Sequence, residues 1–262
     1  MRGIGGFWAG GVLWSWFLVG TFAVAWAQTT DDVVTSMIEA HGGYERWASA
    51  PAVSFTEKWA IPGVPEMPAT RVVVEQGKRR AYHTIPGTDM SMGWDGERAW
   101  GMNWKVPMPP RFTALLNYYF TNLPWLVRDP GVVLGEVESA ELRGEAVHAI
   151  MMTFEAGTGD TPDDYYLLYV DPKSRRLRGC EYIVTYAALL PEGVERTAPH
   201  ELVFDGFTKV NGLQVPTGFI VYENGELYAK CTFTDWSFTE PFDPTRMVPP
   251  EGAVLDATKP RR

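Results

Sequence analysis

The residues most able to do chemistry are three aspartates in one short loop, Asp160, Asp163 and Asp164. Their carboxylates could supply ligands to Ca²⁺, which takes about six to eight oxygen atoms. Their spacing does not match the calcium-loop motif, and Asp and Gly are ordinary turn formers. We therefore expect a solvated hairpin tip, with these three residues only weak metal candidates. We predict no metal ion and no cofactor.

Other catalytic patterns do not occur in the sequence. The four histidines, His41, His83, His148 and His200, are far apart, and no paired His or Cys motif for zinc is present. Serine and cysteine nucleophile motifs and glycine-rich phosphate loops are also missing. We predict no catalytic residue. The alternative kept open is a hydrolase or metal-dependent enzyme with its site near the Asp160–Asp164 loop.

The two cysteines, Cys180 and Cys231, each lie inside a strand-like run. An oxidising compartment would allow them to form a disulfide. A bridge also requires their Cα atoms to come within about 7 Å. Two small buried side chains that do not pair are the other interpretation, and the sequence leaves both open.

The N-terminal segment predicts export. Arg2 precedes an apolar run from Ile4 to Trp26, and Ala25-Trp26-Ala27 fits a signal-peptidase site. We predict a signal peptide over 1–27, cleaved after Ala27, and a periplasmic or secreted protein. The apolar run is long enough to cross a bilayer, so a retained anchor is the alternative.

Charge and composition limit the partners. The formal net charge is −9, and 13% of the residues are aromatic. An acidic chain disfavours nucleic acid, because phosphate binding needs clustered Lys and Arg. We expect a single β domain over 28–250, a proline-containing disordered tail over 251–262, and a monomer.

Hydrophobic periodicity predicts two helices and many strands. A helix is expected over 31–48, broken at Gly42-Gly43, and a short inserted helix over 111–120. Residues 123–135 are punctuated by Pro and Gly and predict a connection. The expected strands are 53–60, 71–76, 79–84, 98–104, 147–155, 165–171, 177–186, 201–205, 217–223 and 227–236.

Several of these strands are apolar on both faces, as Tyr165–Val170 shows. An antiparallel sheet with one wet face alternates apolar and polar residues, so both faces here must be covered. The sheet is therefore expected either to wrap around a helix, with its other face also covered, or to close around an interior that could hold a hydrophobic ligand. The cavity candidates are large apolar residues of the strands and the inserted helix: Trp59, Trp100, Met102, Trp104, Phe112, Leu116, Met152, Phe154, Tyr182 and Phe219.

The segments Ala40–Gly43, Trp94–Trp100 and Leu202–Leu227 resemble the superfamily of outer-membrane lipoprotein carriers and mycobacterial lipoprotein-like domains. Leu123–Gly135 and Thr153–Pro172 are more narrowly similar to a family of exported bacterial proteins of unknown function. The resemblance implies an α+β fold, a curved, half-open antiparallel β-barrel wrapped around the N-terminal helix and the short inserted helix. It also implies binding of a lipid, acyl chain or other hydrophobic small molecule, and it allows a membrane or envelope partner. A non-binding structural envelope protein is a further alternative.

Overall fold

The computed structural model describes residues 28–258, and most of its strands form one antiparallel sheet. The helices are α1 (Thr30–Ala40), α2 (Tyr44–Ala48), α3 (Pro110–Thr113) and α4 (Leu116–Leu126). The strands are β1 (Ala52–Ala60), β2 (Thr70–Glu75), β3 (Ala81–Thr84), β4 (Ser91–Trp94), β5 (Ala99–Met102), β6 (Val132–Leu142), β7 (Glu145–Phe154), β8 (Tyr166–Val170), β9 (Leu177–Tyr182), β10 (His200–Phe204), β11 (Phe207–Val210), β12 (Leu213–Pro216), β13 (Gly218–Glu223), β14 (Glu226–Ser237) and β15 (Val254–Leu255). The predicted signal peptide, 1–27, lies outside the described residues.

The main sheet has 13 strands in the order β15-β5-β4-β3-β2-β1-β14-β13-β10-β9-β8-β7-β6. Its two ends, β15 and β6, do not pair with each other, so the sheet curves without closing. Strands β11 and β12 form a separate hairpin. This confirms the predicted curved, half-open antiparallel barrel with helices. None of the helices described could cross a lipid bilayer by its length and apolar character.

Helix α1 begins and ends as its sequence predicts. Thr29 caps it and shares a capping box with Asp32, which satisfies backbone N–H groups at the first turn. Its apolar stripe, including Val34 and Met37, is fully buried. The predicted break follows at Gly42, which has φ +105° and lies so close to the β11–β12 turn that an added Cβ would be 2.4 Å from the Gly212 oxygen.

His41 joins the end of α1 to two strands. The Leu177 N–H donates to Nε2 (3.1 Å), and Nδ1 lies 3.0 Å from the Gln214 carbonyl oxygen. The ring must therefore carry its proton on Nδ1 in order to make both bonds. Burial lowers the pKa of His41 to about 4, so the ring is neutral around pH 7. This histidine is structural.

Helix α4 fills the interior of the curved sheet and differs from the prediction. We expected one helix over 111–120 followed by a connection, but α4 continues through Pro124 to Leu126. Proline removes one helical hydrogen bond, yet residues on every side of α4 are buried, so packing holds the helix together. The expected connection instead leads into β6, which pairs along its length with β7.

Three polar side chains of this buried helix form hydrogen bonds with other elements, although the Asn117 side-chain oxygen and the Trp125 indole N–H make none with the residues described. Asn122 accepts a hydrogen bond from the Trp47 indole (2.6 Å). Tyr118 donates to Gln76 (2.9 Å), and Asn117 donates to Glu57 (2.6 Å). A buried polar group without a partner would cost about 1–3 kcal/mol, so these bonds allow a polar helix to occupy the core.

The structure also changes the expected tail and resolves the question of the cysteines. Residues 251–262 were predicted to be disordered, but Val254–Leu255 pair with β5, and the Asp256 N–H donates to the Ala99 oxygen (2.9 Å). Without the tail, β5 would be the edge strand of the sheet, and its unpaired backbone groups can pair with the tail. Cys180 and Cys231 are both buried and free, so they do not form a disulfide.

Candidate functional site

A cavity of about 210 Å³ lies beside the N-terminal half of α4. One wall comes from α3 and α4, and the other from the ends of β7 and β8 with their connecting loop. Six of its lining side chains are aromatic: Trp94, Phe112, Tyr119, Phe154, Tyr166 and Tyr186. Phe112 packs against Tyr186 with ring centroids 5.2 Å apart, and Phe154 packs against Tyr166 at 6.1 Å. The cavity is therefore mainly aromatic.

An ion pair joins the two walls of the cavity. The Arg111 guanidinium donates to both carboxylate oxygens of Asp160, at 2.5 and 2.7 Å. It also donates to the Glu97 carbonyl oxygen (2.7 Å) and lies 4.6 Å from the Trp94 ring centroid. The pairing raises the pKa of Arg111, which stays charged. The bidentate geometry fixes the loop tip against α3.

The other two loop aspartates have different environments. Asp164 is 9% exposed, lines the cavity and accepts hydrogen bonds from the backbone N–H and hydroxyl of Thr185, each 2.7 Å. Burial raises the pKa of its carboxyl above the usual value. Asp163 is exposed. The three aspartates suggested by the sequence thus have three separate roles, and they do not converge on one point.

Metal-ligating side chains do not gather elsewhere in residues 28–258, where no group of three His, Cys, Asp or Glu could hold an ion. His83 is buried, with Nε2 3.0 Å from the Ala114 oxygen. His200 stacks on Tyr182, with ring centroids 5.3 Å apart. His148 lies half-buried on β7.

Three of the ten predicted cavity residues line the cavity: Phe112, Leu116 and Phe154. Met152, Tyr182 and Phe219 are instead buried in the main core. Phe219 packs against Phe120 of α4 (5.8 Å between centroids), and Tyr182 packs against the same ring (4.8 Å). The helix occupies the interior that these residues face, so they contact protein and do not line open space.

Trp100 and Met102 lie away from the cavity because of the orientation of β5. The small residues Ala99 and Gly101 pair with Trp94 and Met92, which face the core, and residues that pair across strands share a face. The large residues of β5 therefore occupy the outer face. Trp104, beyond the strand, packs against the core and donates from its indole to the Met108 oxygen (3.1 Å).

Trp59 lies at a second, more open groove of about 620 Å³. The groove is formed by the end of β1, the following loop and the start of β14. Its lining mixes apolar side chains such as Ile61 and Leu227 with charged ones such as Lys58 and Lys230. This groove is wider and shallower than the aromatic cavity, so it is too open to enclose a small ligand.

Sequence reasoning missed five apolar lining residues: Trp94, Leu115, Tyr119, Tyr166 and Tyr186. Leu115 and Tyr119 share the predicted helical face with Phe112 and Leu116, so the helical period could have added them. Phe154 lies directly before the β7–β8 loop, and Tyr166 lies directly after it. Trp94 and Tyr186 are far away in sequence, and no local pattern points to them.

One buried carboxylate lies outside the cavity. Glu57, on β1, is 5% exposed and accepts a hydrogen bond from Asn117 of α4. Burial raises its pKa to about 7, although bonds from Asn117 and Trp59 act in the opposite direction. Asn117 also lies 3.7 Å from the Cys231 sulfur.

Comparisons with known proteins identify the fold. No family model matches the sequence, and no curated protein matches it. A LolA superfamily protein from Nitrosomonas europaea superposes with a TM-score of 0.53 at 13% identity, covering 85% of this chain and 98% of that one. A DUF1329 family protein from Desulfovibrio piger gives a TM-score of 0.52 at 8% identity, with 83% and 96% coverage.

A third likeness has the same extent. A putative outer membrane lipoprotein-sorting protein domain from Vibrio parahaemolyticus gives a TM-score of 0.50 at 7% identity, covering 82% of this chain and 94% of that one. Identities this low show shared architecture and not shared function. In agreement with the sequence resemblance, the chain has the open α+β barrel fold of the LolA superfamily and of lipoprotein-sorting domains.

Proposed function

We propose that this protein is an exported binding protein that holds a hydrophobic ligand in the aromatic cavity between α3–α4 and the β7–β8 loop. The observation that carries the proposal is the cavity itself, which stays open although α4 fills the rest of the barrel interior. Apolar pockets with a few polar groups are the usual form of small-molecule sites. The fold likeness to a lipoprotein-sorting domain supports the same class of function.

The size of the cavity limits the ligand. At about 210 Å³ it exceeds the roughly 150 Å³ of an engineered apolar cavity that binds benzene. It has room for about seven groups the size of a water molecule, each taking about 30 Å³. A single ring or a short alkyl chain fits this space. A longer acyl chain requires the β7–β8 loop to move.

The export part of the proposal rests on the N-terminal segment, whose basic start, apolar run and Ala25-Trp26-Ala27 end match a cleaved signal. We expect a periplasmic or secreted protein that begins at Gln28. Native mass spectrometry of protein from its exporting host measures both the mature mass and any retained small molecule.

Replacing Leu116 with Trp tests the cavity directly. The larger ring enters the cavity, so we expect at least tenfold weaker binding of hexan-1-ol, measured by titration NMR. Leu227→Trp is the matched control, because Leu227 lies in the second groove and is 43% exposed. Loss of binding in Leu227→Trp with full binding in Leu116→Trp would place the ligand in the groove and contradict the proposal.

A structural envelope protein is the second candidate, and the filled interior favours it. Helix α4 contributes buried residues on all sides, and Met152 and Phe219 pack in the core. This candidate predicts that neither hexan-1-ol nor any co-purified molecule binds to the unmodified protein.

A further inference from the structure

The cavity contains a buried carboxylate that no cation neutralises. Asp164 is 9% exposed, and within residues 28–258 it makes no ion pair. Its hydrogen-bond donors, Thr185 and Thr161, are neutral. Buried carboxylates are usually paired with a cation, because removing a lone charge from water is costly. Asp164 therefore lacks a counter-ion among the described residues.

Arg111, the cation in the cavity lining, is not available as a counter-ion for Asp164. Arg111 gives both arms of its guanidinium fork to Asp160, and its remaining amino group donates to the Glu97 oxygen. Its backbone N–H donates to a further carboxylate, that of Asp256 (2.8 Å). Arg111 and Asp160 together are neutral, so Asp164 is the carboxyl group of the lining that has no counter-ion within residues 28–258.

The walls around this charge also suit a cation. Six aromatic side chains line the cavity, and the faces of aromatic rings attract cations through their quadrupole. Cages of aromatic rings are a known way to bind ammonium groups.

We propose that the ligand is an organic cation, an ammonium group with a short apolar part, held by the Asp164 carboxylate and the aromatic walls. This inference rests on the proposed function, since it assigns a chemical class to the ligand of the same cavity. The ammonium neutralises Asp164, and the apolar part occupies the space beside Leu116 and Phe154. The Arg111–Asp160 pair stays intact when this ligand binds.

Three probes with seven heavy atoms each test the charge preference: hexylammonium, hexan-1-ol and pentanoate. Isothermal titration of the mature protein, which begins at Gln28, at neutral pH measures each affinity. We expect hexylammonium to bind at least tenfold more tightly than hexan-1-ol, and pentanoate to bind most weakly. Equal binding of hexylammonium and hexan-1-ol, or tighter binding of pentanoate, overturns the inference while the proposed function stands. Failure of all three probes overturns both.

Asp164→Asn separates the charge from the fold. The Asn side-chain oxygen can still accept from the Thr185 N–H, so the loop keeps its anchor. We expect the advantage of hexylammonium over hexan-1-ol to fall at least tenfold. Asp163→Asn is the matched control, because Asp163 is exposed, and it should leave all three affinities within twofold. An unchanged preference in Asp164→Asn overturns the inference.

Discussion

Carboxylates in this protein behave according to their surroundings and not their spacing in sequence. Asp160 is paired with Arg111, Asp164 faces the cavity without a cation, and Glu57 is enclosed between β1 and α4. Glu57 has the clearest consequence for stability. Its pKa is raised from 4.5 to about 7, chiefly because burial disfavours the charged form.

Glu57→Gln should change the pH dependence of stability. A raised pKa means that the folded state holds an extra proton between about pH 4.5 and 7, so stability is greatest below that range and declines through it. The shift corresponds to about 3 kcal/mol. We therefore expect Glu57→Gln to exceed the native protein in unfolding free energy by up to about 3 kcal/mol at pH 8. The two should be similar at pH 4.5.

Urea denaturation at several pH values measures this effect. Glu138→Gln, which removes an exposed carboxylate on β6, serves as the control and should keep the native pH dependence. A Glu57→Gln variant whose stability falls between pH 5 and 8 as steeply as the native protein would show that another group titrates.

At the residue scale the sequence indicates part of the cavity lining, both apolar and charged, but not the contacts that its residues make. Phe112, Leu116 and Phe154 could be selected as cavity residues because each flanks or belongs to an inserted element. The partner of Asp160 could not be selected, because Arg111 is 49 residues away. Only the fold brings α3 to the β7–β8 loop.

The central element is α4, which supplies the interior against which the curved sheet packs. Trp125 is fully buried, stacks on Trp47 with centroids 5.7 Å apart and contacts His41 edge-on at 5.8 Å. Trp125 therefore connects α4 to the C-terminal ends of α1 and α2. The packing of this ring, and not helix propensity, explains why a helix containing proline persists here.

Trp125→Ala should be among the most destabilising substitutions in α4. Deleting a fully buried aromatic ring leaves a cavity and typically costs about 3–5 kcal/mol. We expect a corresponding fall in the midpoint of urea unfolding. Circular dichroism of the backbone measures this midpoint, because its signal does not depend on the tryptophan that is removed. Val248→Ala, at a position 71% exposed, should change stability by less than about 0.5 kcal/mol. A similar small effect for Trp125→Ala would contradict the central role of this helix.

Elements with strong periodicity were predictable from sequence, and those set by tertiary packing were not. Helix α1 combines a capping box, an apolar stripe and a glycine break, and these local signals agree. The end of α4 was placed too early because Pro124 reads locally as a helix breaker. Strand β6 was missed because its exposed pattern alternates weakly, and its pairing with β7 defines it.

Across the whole molecule, the unclosed side of the barrel is held by side chains. The β4–β5 end of the sheet and the β7–β8 loop lie on opposite sides of the cavity, and Arg111 contacts both through Trp94 and Asp160. Side-chain exposures of 20% for Arg111 and 34% for Asp160 place this pair at the cavity mouth. A partly exposed pair of this kind adds little to global stability.

Asp160→Asn should therefore loosen the loop without unfolding the protein. Loss of the bidentate pair removes the anchor of the loop over 155–165, so its amide hydrogens should exchange faster. We expect the unfolding free energy to fall by no more than about 1 kcal/mol. Hydrogen exchange followed by mass spectrometry gives the measurement, with Asp163→Asn as control. Unchanged exchange in Asp160→Asn would show that the ion pair does not hold the loop.

The order of strands means that the main sheet cannot be completed until the last long strand has been synthesised. Strands β1–β5 join the C-terminal half of the main sheet through the pairing of β1 with β14, the last long strand in the chain. Proteins are synthesised from the N-terminus, so β1 waits for about the whole domain to emerge before its partner is available. Until then, one edge of β1 presents unpaired backbone groups that other chains can join. The topology therefore places the β1–β14 pairing after the synthesis of nearly the whole domain.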